Sequence, residues 1–300
     1  MKILLIGGTR FIGMNVASQL AERKHTVTLY HRQLLESLPY QQIAGDRSDV
    51  KALQSAIAQV QPDCIIHMIA MESEHIKVLE EALAGNPTRV VVVSSADVYK
   101  AFEVLNRLSE AEIQPLPLAE TSPLRDIRYP YRGKEGMPAY ENYEKIDVET
   151  LALASPVIQP IITRLGMVFG VNDPNKRFDA AIITMKNNKK MEVPSDLAVW
   201  QSCYSSVINT AYGIVLATEK GRVGEVYNIA DKEVFTQLEW YQKIAKLLAW
   251  QGEFVITGDT IGAGNYFQSL TLDSNKIRKD LGYKEKITGD DQLKAILTLF

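Results

Sequence analysis

The chain has 300 residues, of which 46% are hydrophobic, and its formal net charge at pH 7 is −3. This length is enough to bury a full core, either in one large domain or in two fused lobes. The slight negative charge excludes a global basic field for nucleic acid, and no apolar run approaches a secretory signal or the ~18 residues of a membrane span. The two cysteines, Cys64 and Cys203, fit no metal or redox spacing, so we expect reduced, buried thiols in a soluble cytoplasmic protein.

Strand-like runs alternate with helical stretches through the first half of the chain. Lys2–Ile6 is apolar after its lysine, as a strand buried on both faces should be. Ile12, Val16 and Leu20 recur every four residues and mark one face of a helix over Phe11–Glu22. The alternation predicts a parallel, doubly wound α/β sheet. Further strands are expected within His25–Arg32, Gln41–Asp49, Asp63–Ala70, Thr88–Ser95 and Pro160–Gly170, and further helices near Val50–Gln59, Glu72–Ala84 and Tyr143–Ala154.

The second half is organised differently. The segment from Phe102 to Ala139 is rich in Pro, Arg and Tyr and has no clear period, and a loop this long is usually functional or mobile. The last third mixes short strands and helices, which predicts a smaller α+β lobe. We expect a dinucleotide-binding lobe over residues 1–169 and about 199–229, and a substrate lobe over 170–198 and 230–300.

The stretch "IGGTRFIG", from Ile6 to Gly13, has the form of a nucleotide-binding turn with arginine at its middle glycine position. Gly7 would allow a tight turn, and Gly13 would let the following helix pack close to the sheet. The first helical turn would then offer free N–H groups and a positive dipole end to a pyrophosphate. A glycine turn that binds no ligand is the alternative.

The end of the second strand favours NADP(H). Sites that prefer NAD usually carry an acid there, whereas this chain has Tyr30, His31 and Arg32. Arg32 could bind a 2′-phosphate bidentately, and Arg10 could approach the same phosphate from the first turn. The alternative is that both arginines are solvated surface residues.

The turn "GDRSD", after the third strand, carries Asp46 and Arg47. Asp46 could accept a hydrogen bond from the adenine amino group while Arg47 lies along the ring, or the segment could be an ordinary polar turn. The cofactor that we expect is NADP, with NAD as a possible substitute.

Nine stretches in a fixed order carry a family resemblance that runs nearly end to end. They are "IGGTRFIG", "AGDRSD", "PDCIIHMIA", "VVVVSSADVY", "KIDVE", "ITRLGMVFG", "CYSSVINTAYGIVLA", "GEVYNIAD" and "DSNKIRKDLGY". The chain resembles the extended, atypical short-chain dehydrogenases/reductases, the NAD(P)-dependent epimerases and dehydratases of nucleotide sugars, whose atypical branch includes chloroplast RNA-binding relatives. The resemblance implies a Rossmann cofactor lobe, a C-terminal substrate lobe and an active site between them. The candidate cofactor-binding residues are Gly7, Thr9, Arg10, Phe11, Ile12, Gly13, His31, Arg32, Asp46, Arg47, Ile69, Ala70 and Lys145.

The resemblance also implies a catalytic trio, namely a Ser or Thr on a strand and the Tyr and Lys of a Tyr-x-x-x-Lys helix. Ser95 matches the first position and Lys145 the last, with Glu149 in the family's K-x-x-x-E spacing. Glu141 stands where the tyrosine is expected, so the chain keeps the lysine of this motif and lacks its tyrosine. Glu141 and Lys145 have the spacing of a simple i,i+4 salt bridge.

A tyrosine four residues before the lysine would share its helix face, where the ammonium lowers the phenol pKa for proton transfer. On a continuous helix, Tyr143 would lie roughly 200° from Lys145, on nearly the opposite face. Tyr140 could enter the cleft if the helix begins after it, and we predict Tyr140 as the displaced base. Further candidates are Tyr129, Tyr131 and Glu141.

Asp97 follows the strand that ends at Ser95. In the dehydratases that the chain resembles, this strand end carries an acidic pair that works on the sugar, and here the pair is Ala96-Asp97. Asp97 is either an acid/base group or a cap of the next turn, and we favour the cap. The candidate catalytic residues are Ser95, Asp97, Tyr140 and Lys145.

Three interpretations of function stay open. The favoured one is an active epimerase, dehydratase or reductase that acts on a nucleotide sugar or a related small molecule. The others are an NADP(H)-binding sensor without turnover and an RNA-binding protein, the last because a local basic patch could stack bases, although it could also bind a diphosphate or be a solvated loop. The patch consists of Arg125, Arg128, Tyr129, Tyr131, Arg132 and Lys134. We expect neither a membrane nor a nucleic acid as partner, and a homodimer is compatible with this interpretation.

Three features of the substrate lobe also bear on ligands. Arg177 could pair with a phosphate or lie on the surface. Trp200 and Tyr204 could stack on a ring or pack between the lobes. Ile208 and Asn209 stand where the family commonly has acids, which weakens any transfer of pocket contacts.

Overall fold

The computed structural model describes residues 1–260 and 264–300. Its main sheet consists of β1 Lys2–Ile6, β2 Thr26–His31, β3 Gln41–Ala44, β4 Cys64–His67, β5 Thr88–Ser95, β6 Ile158–Leu165 and β11 Val226–Ile229. The seven strands are all parallel and lie in the spatial order β11-β6-β5-β4-β1-β2-β3. The strand order reverses between β1 and β4, which places a crevice at their carboxyl ends.

Smaller strand pairs lie in the second half of the chain. They are β7 Met167–Phe169 with β10 Tyr204–Ser206, β8 Lys190–Pro194 with β13 Glu253–Thr257, and β9 Gln201–Ser202 with β12 Phe235–Thr236. The helices are α1 Phe11–Glu22, α2 Val50–Val60, α3 Ser73–Ala82, α4 Lys100–Leu105, α5 Lys145–Ala154, α6 Asp179–Asn187, α7 Ser195–Val199, α8 Val207–Lys220, α9 Gln237–Leu247, α10 Asn275–Leu281 and α11 Gly289–Leu297. Within the described ranges, none of these helices has both the length and the apolar character needed to cross a bilayer.

Helices cover both faces of the large sheet. Side chains of α1 and α8 pack against one face, and those of α2, α3 and α5 pack against the other. Because both faces are buried, β1 is apolar at every position after Lys2. A separate core in the second half is built around Phe169, Phe178 and Trp240. The predicted doubly wound α/β fold is confirmed, while the boundaries of the two predicted lobes stay a prediction.

Three expected elements differ in detail. Helix α5 begins at Lys145 rather than at Tyr143. The segment without a clear period, which starts at Phe102, has its first residues inside α4. The strand expected over Pro160–Gly170 is divided into β6 and β7. Between them lies Gly166, where an added Cβ would stand 2.6 Å from the carbonyl oxygen of Cys203. The backbone at Cys203, just before β10, therefore lies too close to Gly166 for a residue with a side chain at this position.

The two cysteines are free and buried, as predicted. Burial raises the pKa of Cys64 to about 12 and that of Cys203 to about 11. Because the thiolate is the reactive form of cysteine, both thiols are inert at neutral pH.

Candidate cofactor and catalytic site

The glycine turn after β1 is shaped by close contacts. Gly7 has a φ of +84°, and an added Cβ there would lie 2.7 Å from Cγ1 of Ile69. A Cβ on Gly13 would lie 2.7 Å from the Cα of Gly8, where the backbone has no room to move. Both glycines are therefore required for α1 to approach the strand ends, and they leave a shallow cradle beside its first turn.

Arg10 occupies the middle position of the turn without strain. Its φ of −141° and ψ of 157° are extended values that any residue adopts, so this position needs no glycine. Arg10 is the N-cap of α1, its side chain is exposed and makes no capping hydrogen bond, and the first turn carries no acid. The positive end of the helix dipole is thus available to an anion, and the cradle fits a pyrophosphate.

The residues expected at the adenosine end meet at the ends of β2 and β3. Arg32 is exposed, and its charge reaches Arg47, whose pKa is lowered mainly by burial and further by Arg32. The carboxylate of Asp46 accepts a hydrogen bond from the backbone N–H of Ser48 at 2.9 Å, which lowers its pKa. His31 faces Gln42, with its Nε2 2.9 Å from Oε1 of the amide. Asp46 therefore supports the local turn, while the two arginines leave positive charge at the mouth of the crevice.

Arg47 also extends inward towards the lysine. Its Nε donates a hydrogen bond to Nε2 of His75 at 2.8 Å, and burial lowers the pKa of His75 to about 4. His75 also contacts the loop at Ala70 and Met71, since the backbone nitrogen of Met71 lies 3.2 Å from Nδ1 of the histidine. His75 was missed in the sequence, where it appears only as one polar residue of an amphipathic helix.

Lys145 lies at the centre of the site. It is 4% exposed, and its Nζ donates hydrogen bonds to the carbonyl oxygens of Ala70 at 2.6 Å and Val93 at 2.9 Å. Burial lowers its pKa to about 8, although the charges of Asp97 and Glu149 oppose this shift. The ammonium thus joins the ends of β4 and β5 at the crevice.

Tyr143, not Tyr140, comes next to the lysine. Because α5 begins at Lys145, the helical phase that would turn Tyr143 away does not apply. The Tyr143 ring is 7% exposed, its hydroxyl donates to Oδ2 of Asp97 at 2.6 Å, and Nζ of Lys145 lies 5.8 Å from the ring centroid. Tyr140 is 38% exposed and packs its ring against Tyr131 and Tyr143, with 5.8 and 5.7 Å between the centroids.

Glu141 takes no part in this cluster. The expected i,i+4 bridge to Lys145 is absent from the described contacts because position 141 precedes the helix. Instead, the Glu141 carboxylate accepts from the N–H of Gly133 at 3.0 Å and lies 3.7 Å from Nε of Arg132. The structure therefore differs from the helical salt bridge that the spacing of Glu141 and Lys145 allowed.

Asp97 is not a helix cap, contrary to the favoured expectation. Its backbone N–H is capped by the hydroxyl of Ser95 at 3.3 Å, whereas its own carboxylate faces the phenols of Tyr143 and, at 3.5 Å, Tyr131. The second carboxylate oxygen is buried without a protein partner among the described residues. Burial raises the pKa of Asp97, while the hydrogen bond from Tyr143 opposes the rise.

The basic patch carries its own acidic partners. Arg125 and Glu144 form a buried ion pair at 2.8 Å. Arg128 pairs with Asp147 at 2.9 Å, Arg132 stacks over Tyr129 with 3.7 Å to the ring centroid, and Lys134 lies 5.3 Å from the centroid of Tyr131. These internal contacts leave less free charge for an external phosphate chain than the sequence indicates.

The carboxylate of Glu144 has a positioning role that the sequence did not reveal. Besides the ion pair with Arg125, it accepts from the backbone N–H of Tyr129 at 2.6 Å and of Ile146 at 3.0 Å. It is thus both the N-cap of α5 and the anchor of the preceding loop. Glutamate is an uncommon N-cap, which is why the helix start was misplaced.

Glu149 is structural. Its carboxylate accepts from the hydroxyl of Ser94 at 2.5 Å and pairs with Arg164 at 2.6 Å inside the protein. The pair ties α5 to β5 and β6 beneath the lysine.

The buried charge of Lys145 predicts a pH effect on stability. Its folded-state pKa of about 8 lies below the ordinary 10.5, so between these values the unfolded chain binds a proton that the folded chain lacks. The lysine's contribution to the free energy of unfolding therefore rises with pH across this window. We expect urea unfolding to show a smaller rise from about pH 8 to about pH 10 in Lys145→Met than in the unchanged protein. An equal rise in both proteins would contradict the depressed pKa.

A cavity of about 390 Å³ lies among residues that are mostly from the second half of the chain. Arg177, Trp200 and Tyr204 all line it, so the two aromatic residues pack in the second half of the chain and also face a pocket. The guanidinium of Arg177 is paired with Asp173 at 2.9 Å. Asn209 lies outside the cavity and bonds Asp231 and the backbone at Lys286 and Ile287.

Comparisons with known proteins agree with this architecture. Residues 3–77 match the model of the NAD dependent epimerase/dehydratase family. The dTDP-glucose 4,6-dehydratase from Bacillus anthracis, solved in complex with NAD, has a TM-score of 0.74 with this chain at 21% identity, covering 99% of this chain and 96% of that one.

Two curated relatives are each 24% identical to the chain. The 4-hydroxy-2-methyl-3-oxo-4-farnesyl-3,4-dihydroquinoline-1-oxide ketoreductase of Stigmatella aurantiaca aligns over 99% of this chain and 96% of its own length. The chloroplast stem-loop binding protein of 41 kDa b from Arabidopsis thaliana aligns over 84% of this chain, which spans 64% of that protein. The resemblance expected from the motifs is confirmed, since residues 3–77 match the NAD dependent epimerase/dehydratase family and the chain is similar in fold to the dTDP-glucose 4,6-dehydratase over 99% of its length.

Proposed function

We propose that the chain is an NADP(H)-dependent oxidoreductase-type enzyme of the epimerase, dehydratase or reductase kind, with Tyr143 in place of the missing motif tyrosine. The observation that carries the proposal is the hydrogen bond from Tyr143 to Asp97 beside the buried Lys145, in the crevice next to the glycine cradle. Strongly perturbed ionisable groups that converge in a crevice are typical of catalytic sites. The substrate would be a small molecule with a hydroxyl or ketone group, and the dehydratase relative makes a nucleotide sugar one candidate.

The glycine cradle would hold the pyrophosphate of the cofactor, and Lys145 would contact its nicotinamide ribose. When bound, NADP(H) supplies or accepts a hydride at the nicotinamide ring. Arg32, assisted by Arg10, would bind the 2′-phosphate. The residues present fit this cofactor because the turn has no room for side chains and the helix end has no competing acid.

The protein side of the reaction is the movement of one proton. Burial raises the pKa of Tyr143 well above its ordinary value, and the Asp97 charge adds to this, so the phenol keeps its proton at neutral pH. In a reduction, this protonated phenol would be the group that donates a proton to the substrate carbonyl oxygen. The Asp97 carboxylate, which accepts the hydrogen bond from Tyr143 at 2.6 Å, would hold the phenol in place. The Ser95 hydroxyl would orient the same substrate oxygen.

Turnover is tested by incubating the protein with NADPH or NADP and a panel of nucleotide sugars and ring ketones, followed by mass analysis of the products. We expect cofactor-dependent product from at least one member. Tight NADP binding without product from any class in the panel would favour the sensor interpretation instead.

The preference for NADP is tested at Arg32. We expect Arg32→Ala to raise the Kd for NADP about tenfold, as the loss of one charge-assisted contact would, and to leave the Kd for NAD unchanged. Arg23→Ala is the control, because Arg23 lies at the far end of α1 and pairs with Glu219 at 2.6 Å. Equal binding of NAD and NADP by the unchanged protein, or an Arg32→Ala variant with normal NADP affinity, would remove the basis for this preference.

A further inference from the structure

The cavity in the second half of the chain adjoins the proposed proton donor. Its volume is about 390 Å³, within the range of ~300–1,000 Å³ that holds small ligands. Phe102 on its wall packs edge-on against Tyr131, with 6.1 Å between the centroids. The Tyr131 hydroxyl in turn lies 3.5 Å from Oδ2 of Asp97. Two rings, those of Phe102 and Tyr131, therefore lie between a ligand in this cavity and Asp97.

The walls of the cavity are mainly rings and hydrocarbon. Five aromatic side chains contribute, namely Phe102, Trp200, Tyr204, Tyr241 and Tyr266. Trp200 stands edge-on to Tyr266 with 5.6 Å between the centroids. Leu105, Met167 and Leu197 fill much of the remaining surface. Such walls suit a flat ring, which can stack on some of these faces and meet the edges of others.

Two polar groups of the wall already have protein partners. Nε1 of Trp200 donates to the carbonyl oxygen of Gln268 at 3.0 Å. The hydroxyl of Tyr204 donates to Oε1 of Gln237 at 3.2 Å. These donors would have to give up an existing bond in order to serve the hydroxyl groups of a sugar.

The cationic side chain that the structure describes on this wall is already paired with a carboxylate. Arg177 is the cationic residue among the described residues that line the cavity. Its Nη1 donates to both carboxylate oxygens of Asp173, at 2.9 and 3.0 Å. A diphosphate carries charges that must be paired when they leave water, and the Asp173 carboxylate already offsets the charge that Arg177 would bring to them.

We propose that this cavity binds an uncharged, flat ring ketone that carries no phosphate or carboxylate. The assignment rests on the proposed function and narrows its substrate class away from nucleotide sugars. The carbonyl group would point past Phe102 towards the Tyr143–Asp97 pair, and the ring would fill the aromatic walls.

Calorimetric titration of the full chain tests this with two probes, α-tetralone as a neutral bicyclic ketone and UDP-glucose as a nucleotide sugar. We expect α-tetralone to bind and an excess of UDP-glucose not to displace it. Leu197→Phe, which fills the cavity from α7, should weaken α-tetralone binding by about tenfold or more. Val199→Phe is the matched control, because Val199 is on the same helix and 64% exposed, and it should bind as the unchanged protein does.

A third variant tests the charge argument without filling the cavity. Asp173→Asn leaves Arg177 without its carboxylate, so we expect it to gain affinity for UDP-glucose and to keep its affinity for α-tetralone. The assignment is overturned if α-tetralone fails to bind, if UDP-glucose displaces it from the unchanged protein, or if Leu197→Phe and Val199→Phe bind it equally well. If any of these three results is found in a chain that binds NADP normally, the proposed function still stands. Binding of α-tetralone by a chain that binds no NADP would instead overturn the proposed function.

Discussion

Tyr143→Phe should lower kcat by about 10²–10⁴-fold, the usual contribution of a positioned proton donor or acceptor. The change removes only the hydroxyl that donates to Asp97 at 2.6 Å and keeps the ring that packs against Tyr131 and Tyr140. The Kd for NADP should stay unchanged, because no part of the glycine cradle is altered. Steady-state kinetics with the substrate found in the panel, together with NADP titration, separate the two effects.

The matched control is Tyr140→Phe. Its ring belongs to the same aromatic group, but its hydroxyl has no hydrogen-bond partner among the described contacts and its side chain is 38% exposed. We expect this variant to keep its kcat, and Asp97→Asn to share the loss seen with Tyr143→Phe. A large loss in Tyr140→Phe and none in Tyr143→Phe would restore the assignment first suggested by the sequence.

Arg125→Met should destabilise the fold by about 3–5 kcal/mol, the cost of leaving a buried charge without its partner. The guanidinium of Arg125 is fully buried and bonds Glu144 as well as the backbone carbonyl oxygens of Asp97 and Ile127. Its loss would leave the buried Glu144 carboxylate without its buried partner at the start of α5, with the exposed Arg128 3.9 Å away. Chemical unfolding at neutral pH measures the change in the free energy of unfolding.

Two further variants show whether the buried pair is the cause. Arg128→Met removes an exposed arginine that pairs with Asp147, and it should cost no more than about 1 kcal/mol. Adding Glu144→Gln to Arg125→Met removes the uncompensated charge but keeps a side chain that can cap α5, so the double variant should be more stable than Arg125→Met alone. If the double variant is no more stable than Arg125→Met alone, the Glu144 charge is not the cause of the loss.

The fold and the cofactor turn were predictable because their signals are local. Continuous apolar strands such as Lys2–Ile6 and the four-residue repeat of Ile12, Val16 and Leu20 each lie within one element. The glycines of the turn also act on near neighbours, since Gly13 is fixed by contact with Gly8 five residues earlier.

The candidate catalytic cluster of Asp97, Tyr143 and Lys145 was less predictable because it joins residues that are distant in sequence. Asp97 and Tyr143 are 46 positions apart, and no period or spacing connects them. The start of α5 was the decisive unknown, because it determines whether Tyr143 follows helical geometry. That start depends on Glu144, which is held by an arginine 19 positions away.

The placement of Lys145 as the first residue of α5 bears on how genomes are surveyed for enzymes of this fold. A search that demands Tyr-x-x-x-Lys would classify the chain as lacking the catalytic residues, because it treats a distance along the sequence as a distance in space. The two coincide only when one helix carries both residues. In this chain the phenol enters from an anchored loop, so a survey should ask which phenol lies beside the buried ammonium and its acidic neighbour.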